Sequence, residues 1–182
     1  MNSYDSNKIE EAIKVVLQNI DKDSNRDGLI DTPARISRFL KEFYNEEKFT
    51  MTTFDNEGYN DMVVQKSITF YSMCEHHMLP FFGTGTIAYI PKKKIVGLSK
   101  LARTLDHFSR RLQNQERITN QVAEYLNEKL DPEGVAVVIT ARHLCMEMRG
   151  VQKPGTFTTT SAVLGQFKDN PTTRSEFLNL IR

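Results

Sequence analysis

The two cysteines of the chain lie about seventy residues apart, and each sits in a stretch rich in metal-binding side chains. The first stretch, residues 72–82, is SMCEHHMLPFF, and it holds a thiol, a carboxylate and two imidazoles within four residues. Thiolate and imidazole suit zinc, and the Cys-x-x-His spacing of Cys74 and His77 is typical of half a zinc site. The second half would come from Cys145, in ARHLCMEMRG. The fold must therefore bring these two distant stretches together.

Two other interpretations compete with a catalytic metal at these residues. Unpaired cysteines are often small buried apolar residues, but the polar neighbours of Cys74 argue against a purely structural role in a core. A closed structural zinc site needs four protein ligands. Beside Cys74, His77 and Cys145, either His76 or His143 would supply the fourth. The motif alone does not separate structural from catalytic zinc.

Composition excludes several functional classes. The chain has 182 residues, a formal net charge of +1 and 26% charged residues. No polybasic character points to nucleic acid or a membrane surface, and no apolar run approaches the roughly 20 residues of a membrane span. The N-terminal residues are polar where a signal peptide needs an apolar core, and two cysteines indicate a reducing compartment. We expect a cytoplasmic protein with neither nucleic-acid nor membrane partners.

Two amphipathic helices are predicted in the N-terminal part of the chain. Apolar residues recur with helical spacing over residues 9–20 and 36–43. Ser6 and Thr32 stand where N-cap residues are favoured. Two basic residues lie off the second apolar stripe, which favours a solvent-exposed face: Arg35 and Arg38.

The segment between these helices partly matches the motif of a calcium-binding loop. Its opening positions match those of an EF-hand at Asp23, Asn25, Asp27 and Gly28. Ala34 stands where the bidentate glutamate of such a loop is required. We therefore predict a polar turn and no calcium site.

From residue 62 onward the pattern favours strands in runs and helices in pairs. Strands are predicted over residues 62–71, 83–90, 95–98, 135–148 and 155–165, and helices are predicted to start near Ser99, Gln115 and Asn170. Residues 45–60 are polar and patternless, which favours a loop. This order indicates an α+β fold with a largely antiparallel sheet. We expect an N-terminal helical arm over residues 1–60 and a catalytic domain over residues 61–182, in one compact unit.

The longest predicted strand carries one set of chemical groups on a single face. With strand alternation, His143 and Cys145 point the same way about 7 Å apart, and Arg149 follows about 13 Å further along. A histidine so close to a metal-binding thiolate suits a role beside the metal. In the first turn of the helix predicted to be capped by Ser99, Lys100 and Arg103 form a candidate phosphate site.

Taken together, these motifs resemble the GTP cyclohydrolase I family. The resemblance is carried by TPAR at residues 32–35, CEHH at 74–77, GLSKLAR at 97–103, QER at 115–117 and HLCMEMRG at 143–150. These motifs span nearly the whole chain in the order of the family. The resemblance implies the tunnelling fold, with a largely antiparallel four-stranded sheet, two layered helices and additional N-terminal helices. It also implies a homo-oligomeric barrel, with two stacked pentamers forming a decamer.

The resemblance further implies a reaction and a set of site residues. GTP would be hydrolysed and rearranged to 7,8-dihydroneopterin triphosphate with release of formate, the first step of pterin biosynthesis. Zn2+ would be held by Cys74, His77 and Cys145, with His143 as a general acid. The remaining implied roles are ribose chemistry by His76 and Ser99, guanine recognition by Gln115 and Glu116, and triphosphate binding by Lys100, Arg103 and Arg149, with weaker additions from Arg35 and Arg38.

Two other functional classes remain open at the level of sequence. One is a zinc-stabilised binding protein without catalysis, which the complete set of reactive residues disfavours. The other is a related tunnelling-fold enzyme that acts on a different pterin or purine. A carboxylate at residue 116 favours GTP because it accepts hydrogen bonds from guanine N1–H and the N2 amine.

Overall fold

The computed structural model describes residues 4–44 and 49–182, which form two compact units, Met1–Glu46 and Glu47–Arg182. The first unit contains helices α1 (Ser6–Ile20) and α2 (Thr32–Phe43). The second holds the sheets. Strand β1 (Thr53–Asp55) pairs with β4 (Lys94–Val96), so part of the predicted loop at 45–60 is a strand of the sheet unit. The sequence prediction had grouped these residues with the helical arm.

The N-caps of both helices in the first unit lie one residue before the predicted caps. Asp5 is the N-cap of α1, and its carboxylate accepts a hydrogen bond from a backbone N–H of the first turn at 3.2 Å. Asp31 is the N-cap of α2 without a side-chain capping bond. The predictions of Ser6 and Thr32 as caps are therefore wrong by one position. In each case an aspartate precedes the predicted residue, and aspartate is an equally favoured cap.

In the part of the chain that the structure describes, the main sheet has five strands in the order β5-β2-β3-β6-β7. Its four long strands are antiparallel neighbours: β2 (Val63–Cys74), β3 (Pro80–Ile90), β6 (Gly134–His143) and β7 (Thr158–Gly165). The fifth, β5 (Leu112–Gln113), is parallel to the end of β2. The predicted four-stranded sheet matches the antiparallel part and misses β5, because two residues carry no detectable alternation.

Strand β6 ends at His143, five residues earlier than predicted. Its partner β3 begins at Pro80, and Phe81 is the residue paired with His143. With no strand left to pair, the backbone turns into the single helical turn α5 (Leu144–Glu147), where the N–H of Met148 donates to the carbonyl of Leu144 at 3.1 Å. The prediction that His143, Cys145 and Arg149 share one strand face is therefore wrong.

Two helices cover one face of the sheet. Helix α3 (Leu98–Ser109) packs on β2, and α4 (Gln115–Leu130) packs on β6 and β7. The N-cap of α3 is Gly97, so Ser99 lies in the first turn and is not the predicted cap. The core under these helices includes Phe70, Phe81, Ile87, Leu101, Leu105, Ile118, Leu126, Val135 and Ile139.

The opposite face of the same strands carries a second, smaller core. Ala88 and Ala136 alternate with the residues of the first core and contact the C-terminal helices α6 (Gln166–Asp169) and α7 (Pro171–Leu180) through Phe167 and Phe177. Alternate residues of a strand point to opposite faces, so β3 and β6 are buried on both sides here. The predicted final helix, starting at Asn170, is confirmed, with Asn170 as its N-cap.

Across residues 4–44 and 49–182, no helix combines the length and the apolar character that a bilayer crossing needs.

A close approach of the paired strand to Gly83 generates a stability prediction. A Cβ added at Gly83 would lie 2.0 Å from the carbonyl oxygen of Thr140 and 2.7 Å from Cα of Ala141. Backbone atoms of a paired strand have little room to move, and overpacking costs about 1–3 kcal/mol. Gly83→Ala should therefore lower the thermal midpoint by about 2–10 °C at fixed protein concentration, measured by circular dichroism.

The matched control is Thr84→Ala, at the exposed neighbouring residue of the same strand. Surface substitutions usually change stability by about 0.5 kcal/mol or less, which corresponds to about 2 °C here. A Gly83→Ala midpoint within the range of this control would contradict the close approach of the two strands.

Candidate metal centre

The turn between β2 and β3 presents the first half of the metal-binding motif. Cys74 is buried at the end of β2, where its N–H donates to the carbonyl of Leu79 at 2.9 Å and its carbonyl accepts from the N–H of Met78 at 2.8 Å. Met78 adopts a left-handed backbone conformation, with φ of +53°. These bonds close a tight turn that carries Glu75, His76 and His77 on its outer side.

The structure brings Cys74, His77 and Cys145 together. The two sulfur atoms and a ring nitrogen of His77 all lie within 4.8 Å of one another, and Cys74 Sγ is 3.9 Å from His77 Nδ1. Tetrahedral zinc with ordinary bond lengths requires ligand separations of about 3.5–3.8 Å. Among the described residues, neither His76 nor His143 joins this mutual set. Three protein ligands are typical of catalytic zinc, whereas structural sites have four.

The electrostatics of the two thiols fit a bound cation. Burial raises the pKa of the Cys145 thiol, and the neighbouring Cys74 raises it further. The thiolates of Cys74 and Cys145 would repel each other at this short distance, because the site is partly shielded from water. Metal binding requires the thiolate form, so a divalent cation between the sulfur atoms would stabilise both charges. The donor set and its spacing therefore fit zinc.

Arg149 lies beside the metal-binding group. Its Nη1 is 2.7 Å from Nε2 of His77, and the side chain is exposed. The sequence prediction had put Arg149 about 13 Å beyond Cys145 along a strand. The helical turn α5 shortens that path because a helix rises only about 1.5 Å per residue.

A cavity of about 220 Å³ adjoins the metal-binding group. Whole ligands usually occupy about 300–1,000 Å³, so this cavity suits one part of a ligand, such as a ring, with the rest outside. Its lining residues come from the ends of β2 and β6, the turn after β2, the starts of β3, α4 and β7, and from β5 and α5: Cys74, His76, Phe81, Gln113, Asn114, Gln115, Glu116, His143, Cys145, Met146 and Thr158.

His143 lies beside the metal-binding group and is held on two sides. Its ring stacks on Phe81, with centroids 4.6 Å apart and planes 5° from parallel. Its Nε2 is 2.7 Å from Oε1 of Gln115. Burial lowers the pKa of His143, while the carboxylate of Glu116 acts in the opposite direction. His143 thus lines the same cavity as Cys74 and Cys145, and its predicted role beside the metal ligands stays a prediction.

Gln115 and Glu116 are neighbours in sequence with different environments. The side chain of Gln115 is 1% exposed, and its amide nitrogen donates to the carbonyls of Ile139 and Thr158 and to Oγ1 of Thr160 at 2.9, 3.0 and 3.1 Å. Its polar atoms are thus engaged within the protein. Glu116 is exposed at the cavity, as guanine recognition would require.

Sequence reasoning missed an ion pair that ties the metal-binding turn to helix α4. The guanidinium of Arg117 donates to both carboxylate oxygens of Glu75, at 2.7 and 3.1 Å, and Asn114 Nδ2 donates to the same carboxylate at 3.3 Å. The Arg117 contact holds the pKa of Glu75 below its usual range. Both partners belong to quoted motifs, CEHH and QER, but their contact spans 42 positions and only the fold reveals it.

The remaining predicted site residues lie elsewhere in the chain. Ser99, Lys100 and Arg103 are on the first two turns of α3 and are absent from the described lining of the cavity. Arg35 and Arg38 belong to α2 in the first compact unit, where Arg35 pairs with Asp31 at 3.2 Å. An exposed pair of this kind contributes at most about 1 kcal/mol.

Comparisons with known proteins agree over almost the entire chain. The family model described as GTP cyclohydrolase I matches residues 9–182. The chain is 53% identical over 178 residues to GTP cyclohydrolase 1 of Sulfurihydrogenibium sp. (strain YO3AOP1), which covers 97% of this chain and 95% of that protein. It is 51% identical over 181 residues to GTP cyclohydrolase 1 of Aquifex aeolicus (strain VF5), covering 99% and 98%. It is 46% identical over 188 residues to GTP cyclohydrolase 1 of Brevibacillus brevis, covering 100% of this chain and 100% of that protein.

The ligand set generates a prediction about metal content. Cys74→Ser, His77→Ala and Cys145→Ser should each weaken zinc binding by more than the 10–100-fold typical of losing an outer-shell partner, because each removes a direct ligand. Zinc per chain after gel filtration, measured by plasma mass spectrometry, should fall from near one to a small fraction.

His76→Ala is the matched control for this set. Its Nδ1 is 3.7 Å from Cys74 Sγ, about as close as that of His77. Because His76 lies outside the mutual group, the variant should keep its zinc. Loss of zinc in His76→Ala with retention in His77→Ala would reverse the assignment.

Proposed function

The chain belongs to the GTP cyclohydrolase I family, and on this basis we propose that it converts GTP to 7,8-dihydroneopterin triphosphate and formate at a zinc site. Cys74, His77 and Cys145 would hold the metal. One observation carries the proposal: Cys74 and Cys145, two members of the mutually close ligand group, border the same cavity as His143 and Glu116. A structural zinc site would need no acid–base group and no base-sized cavity beside it.

Opening the imidazole ring of guanine requires a proton transfer, and we assign this transfer to His143. Bound zinc supplies Lewis-acid activation of water near neutral pH, and C8 of the base is the electrophile. As C8 becomes tetrahedral, the adjacent N7 gains basicity and must accept a proton. His143 borders the cavity beside the ligands and is held by Phe81 and Gln115. We assign it the role of general acid at N7.

Glu116 is the proposed determinant of base identity. A carboxylate accepts hydrogen bonds only, and guanine offers two donors on one edge, N1–H and the N2 amine. Adenine has no proton on N1 and no N2 amine, so it would leave this carboxylate without its donors. Charge-assisted bonds of this type are roughly twice as strong as neutral ones, so Glu116 would favour GTP over ATP.

The sugar and phosphate contacts are proposals that extend from the family. His76 lines the cavity and is assigned to ribose chemistry together with Ser99. A triphosphate bound with its base in a cavity of about 220 Å³ extends beyond that cavity. Its charges would be met by Arg149, Lys100 and Arg103, with Arg35 and Arg38 as weaker additions.

A direct assay tests the proposed reaction. Purified zinc-loaded protein incubated with GTP should release formate and form a dihydropterin chromophore in equal amounts, while ATP should give neither. Activity with another purine or a pterin in place of GTP would favour a related tunnelling-fold enzyme. Tight GTP binding without formate release would favour a zinc-stabilised binding protein.

Two substitutions separate chemistry from recognition. His143→Ala should slow turnover by at least the ~100-fold typical of a lost general acid and leave zinc content and GTP affinity near the parent values. Glu116→Gln should keep the metal but weaken GTP binding by about 10–100-fold, since hydrogen bonds to a charged group contribute about 1.5–3 kcal/mol. Turnover, zinc content and equilibrium binding are measured for both.

Each variant acts as the control for the other. Loss of zinc in His143→Ala would make His143 a ligand and reopen the assignment of His77. Parent-like GTP affinity in Glu116→Gln would remove the argument for base recognition and favour the alternative substrates.

We also propose that the chain forms a decamer of two stacked pentamers. Among the described residues of a single chain, strand β7 pairs with β6 alone, and an open strand edge is a template for further pairing. Closure of sheets from several subunits into a barrel removes such edges. Light scattering should give a mass near ten times that of one chain, and an active monomer would contradict this.

A further inference from the structure

The orientation of the Gln115 amide is fixed by its surroundings. Its nitrogen faces two backbone carbonyls, those of Ile139 and Thr158, at 2.9 and 3.0 Å. Carbonyl oxygens only accept hydrogen bonds, so the amide nitrogen must stand on this side. The reversed amide would bring its oxygen against both carbonyls. Oε1 of Gln115 therefore faces His143.

This orientation selects one tautomer of the histidine. Oε1 of Gln115 is an acceptor, and it lies 2.7 Å from Nε2 of His143. Nε2 must therefore carry a proton to make this bond. The other ring nitrogen, Nδ1, is then the one left to exchange a proton with a bound molecule. The hydrogen bond of one ring nitrogen commonly sets the role of the other.

A second layer of contacts holds Gln115 itself. Oγ1 of Thr160 accepts from the Gln115 amide at 3.1 Å and lies 2.7 Å from Oγ1 of Thr119. Thr119 Oγ1 donates in turn to the backbone carbonyl of Gln115 at 2.8 Å. With 1% exposure and both polar atoms of its side chain bonded within the protein, Gln115 is already engaged before any substrate binds.

We propose that Gln115 is a positioning residue that holds His143 with its proton on Nε2 and leaves Nδ1 to act on the substrate. The inference deepens the proposed function and rests on it for the identity of the substrate. In the reaction, a proton would pass from Nδ1 of the imidazolium to N7 of the base, while Nε2–H stays bonded to Gln115. Gln115 would thus act through His143 and would not recognise guanine, in contrast to the sequence-based assignment.

The first test is spectroscopic and independent of activity. Magic-angle-spinning NMR of the assembled protein labelled with ¹⁵N-histidine distinguishes the two neutral tautomers, and the chain has only four histidines. Loss of one signal set in His143→Asn assigns His143. The parent should show His143 protonated on Nε2. A parent spectrum with the proton on Nδ1 would overturn the proposal, whatever any variant does.

The second test uses Gln115→Met, which keeps side-chain length and removes the hydrogen-bonding atoms. His143 should become a mixture of tautomers. The kcat should fall by about 10–100-fold, the range typical of losing an outer-shell partner, with the KM for GTP changed by less than about threefold. Zinc should remain bound.

Thr160→Val is the matched control, because it removes one of three acceptors of the Gln115 amide and leaves Oε1 in place. It should keep the Nε2 tautomer and lose less activity than Gln115→Met. A raised KM at parent-like kcat in Gln115→Met, with the histidine signal unchanged, would make Gln115 a recognition residue. A lowered kcat with an unchanged tautomer would make its role merely structural. Either result overturns the proposal, and inactivity of the parent toward GTP would refute the proposed function alone.

Discussion

The pairing of β2, β3 and β6 is the constraint on which the rest of the structure depends. Ser72, Phe81 and His143 lie in one row across these three strands. Through β3, this row aligns the end of β2 with the end of β6. Cys74 ends β2, and Cys145 follows two residues after the end of β6. A slip of one residue would turn His143 to the opposite face of the sheet. Strand register thus decides whether the two halves of the metal-binding motif meet.

A polar network then attaches helix α4 to this sheet edge. Asn114 caps the helix through a 2.8 Å bond from the N–H of Arg117, and both residues also bind Glu75 in the metal-binding turn. Gln115 enters the interior and bonds to β6 and β7. Breaking one partner of such a buried bond leaves the other unsatisfied, at a cost of about 1–3 kcal/mol. The start of α4 is therefore held in register with both the metal ligands and His143.

Much of the site was predictable because its chemistry is concentrated in short motifs. Residue type and motif made Cys74, His77 and Cys145 candidate ligands, with a fourth ligand left open, and the structure groups these three. The backbone path between His143 and Cys145 was not predicted correctly. The strand predicted to continue through Met148 ends at His143, since the partner strand begins at Pro80. An alternating sequence can continue beyond the last paired residue of a strand, because alternation gives no information on the length of the neighbouring strand. Strand β5 was not predicted because it is only two residues long, too short to show alternation.

The sequence by itself determined which side chains are available: the thiols, the imidazoles and the Gln115–Glu116 pair at a helix start, because residue type fixes what a group can donate, accept or ligate. Only the tertiary structure decided how these groups are used. It buries Gln115 against two carbonyls and leaves Glu116 exposed at the cavity, because adjacent residues in the first turn of a helix point in directions about 100° apart. Hydrogen-bond partners and burial arise from strands and helices distant in sequence, which no local pattern contains.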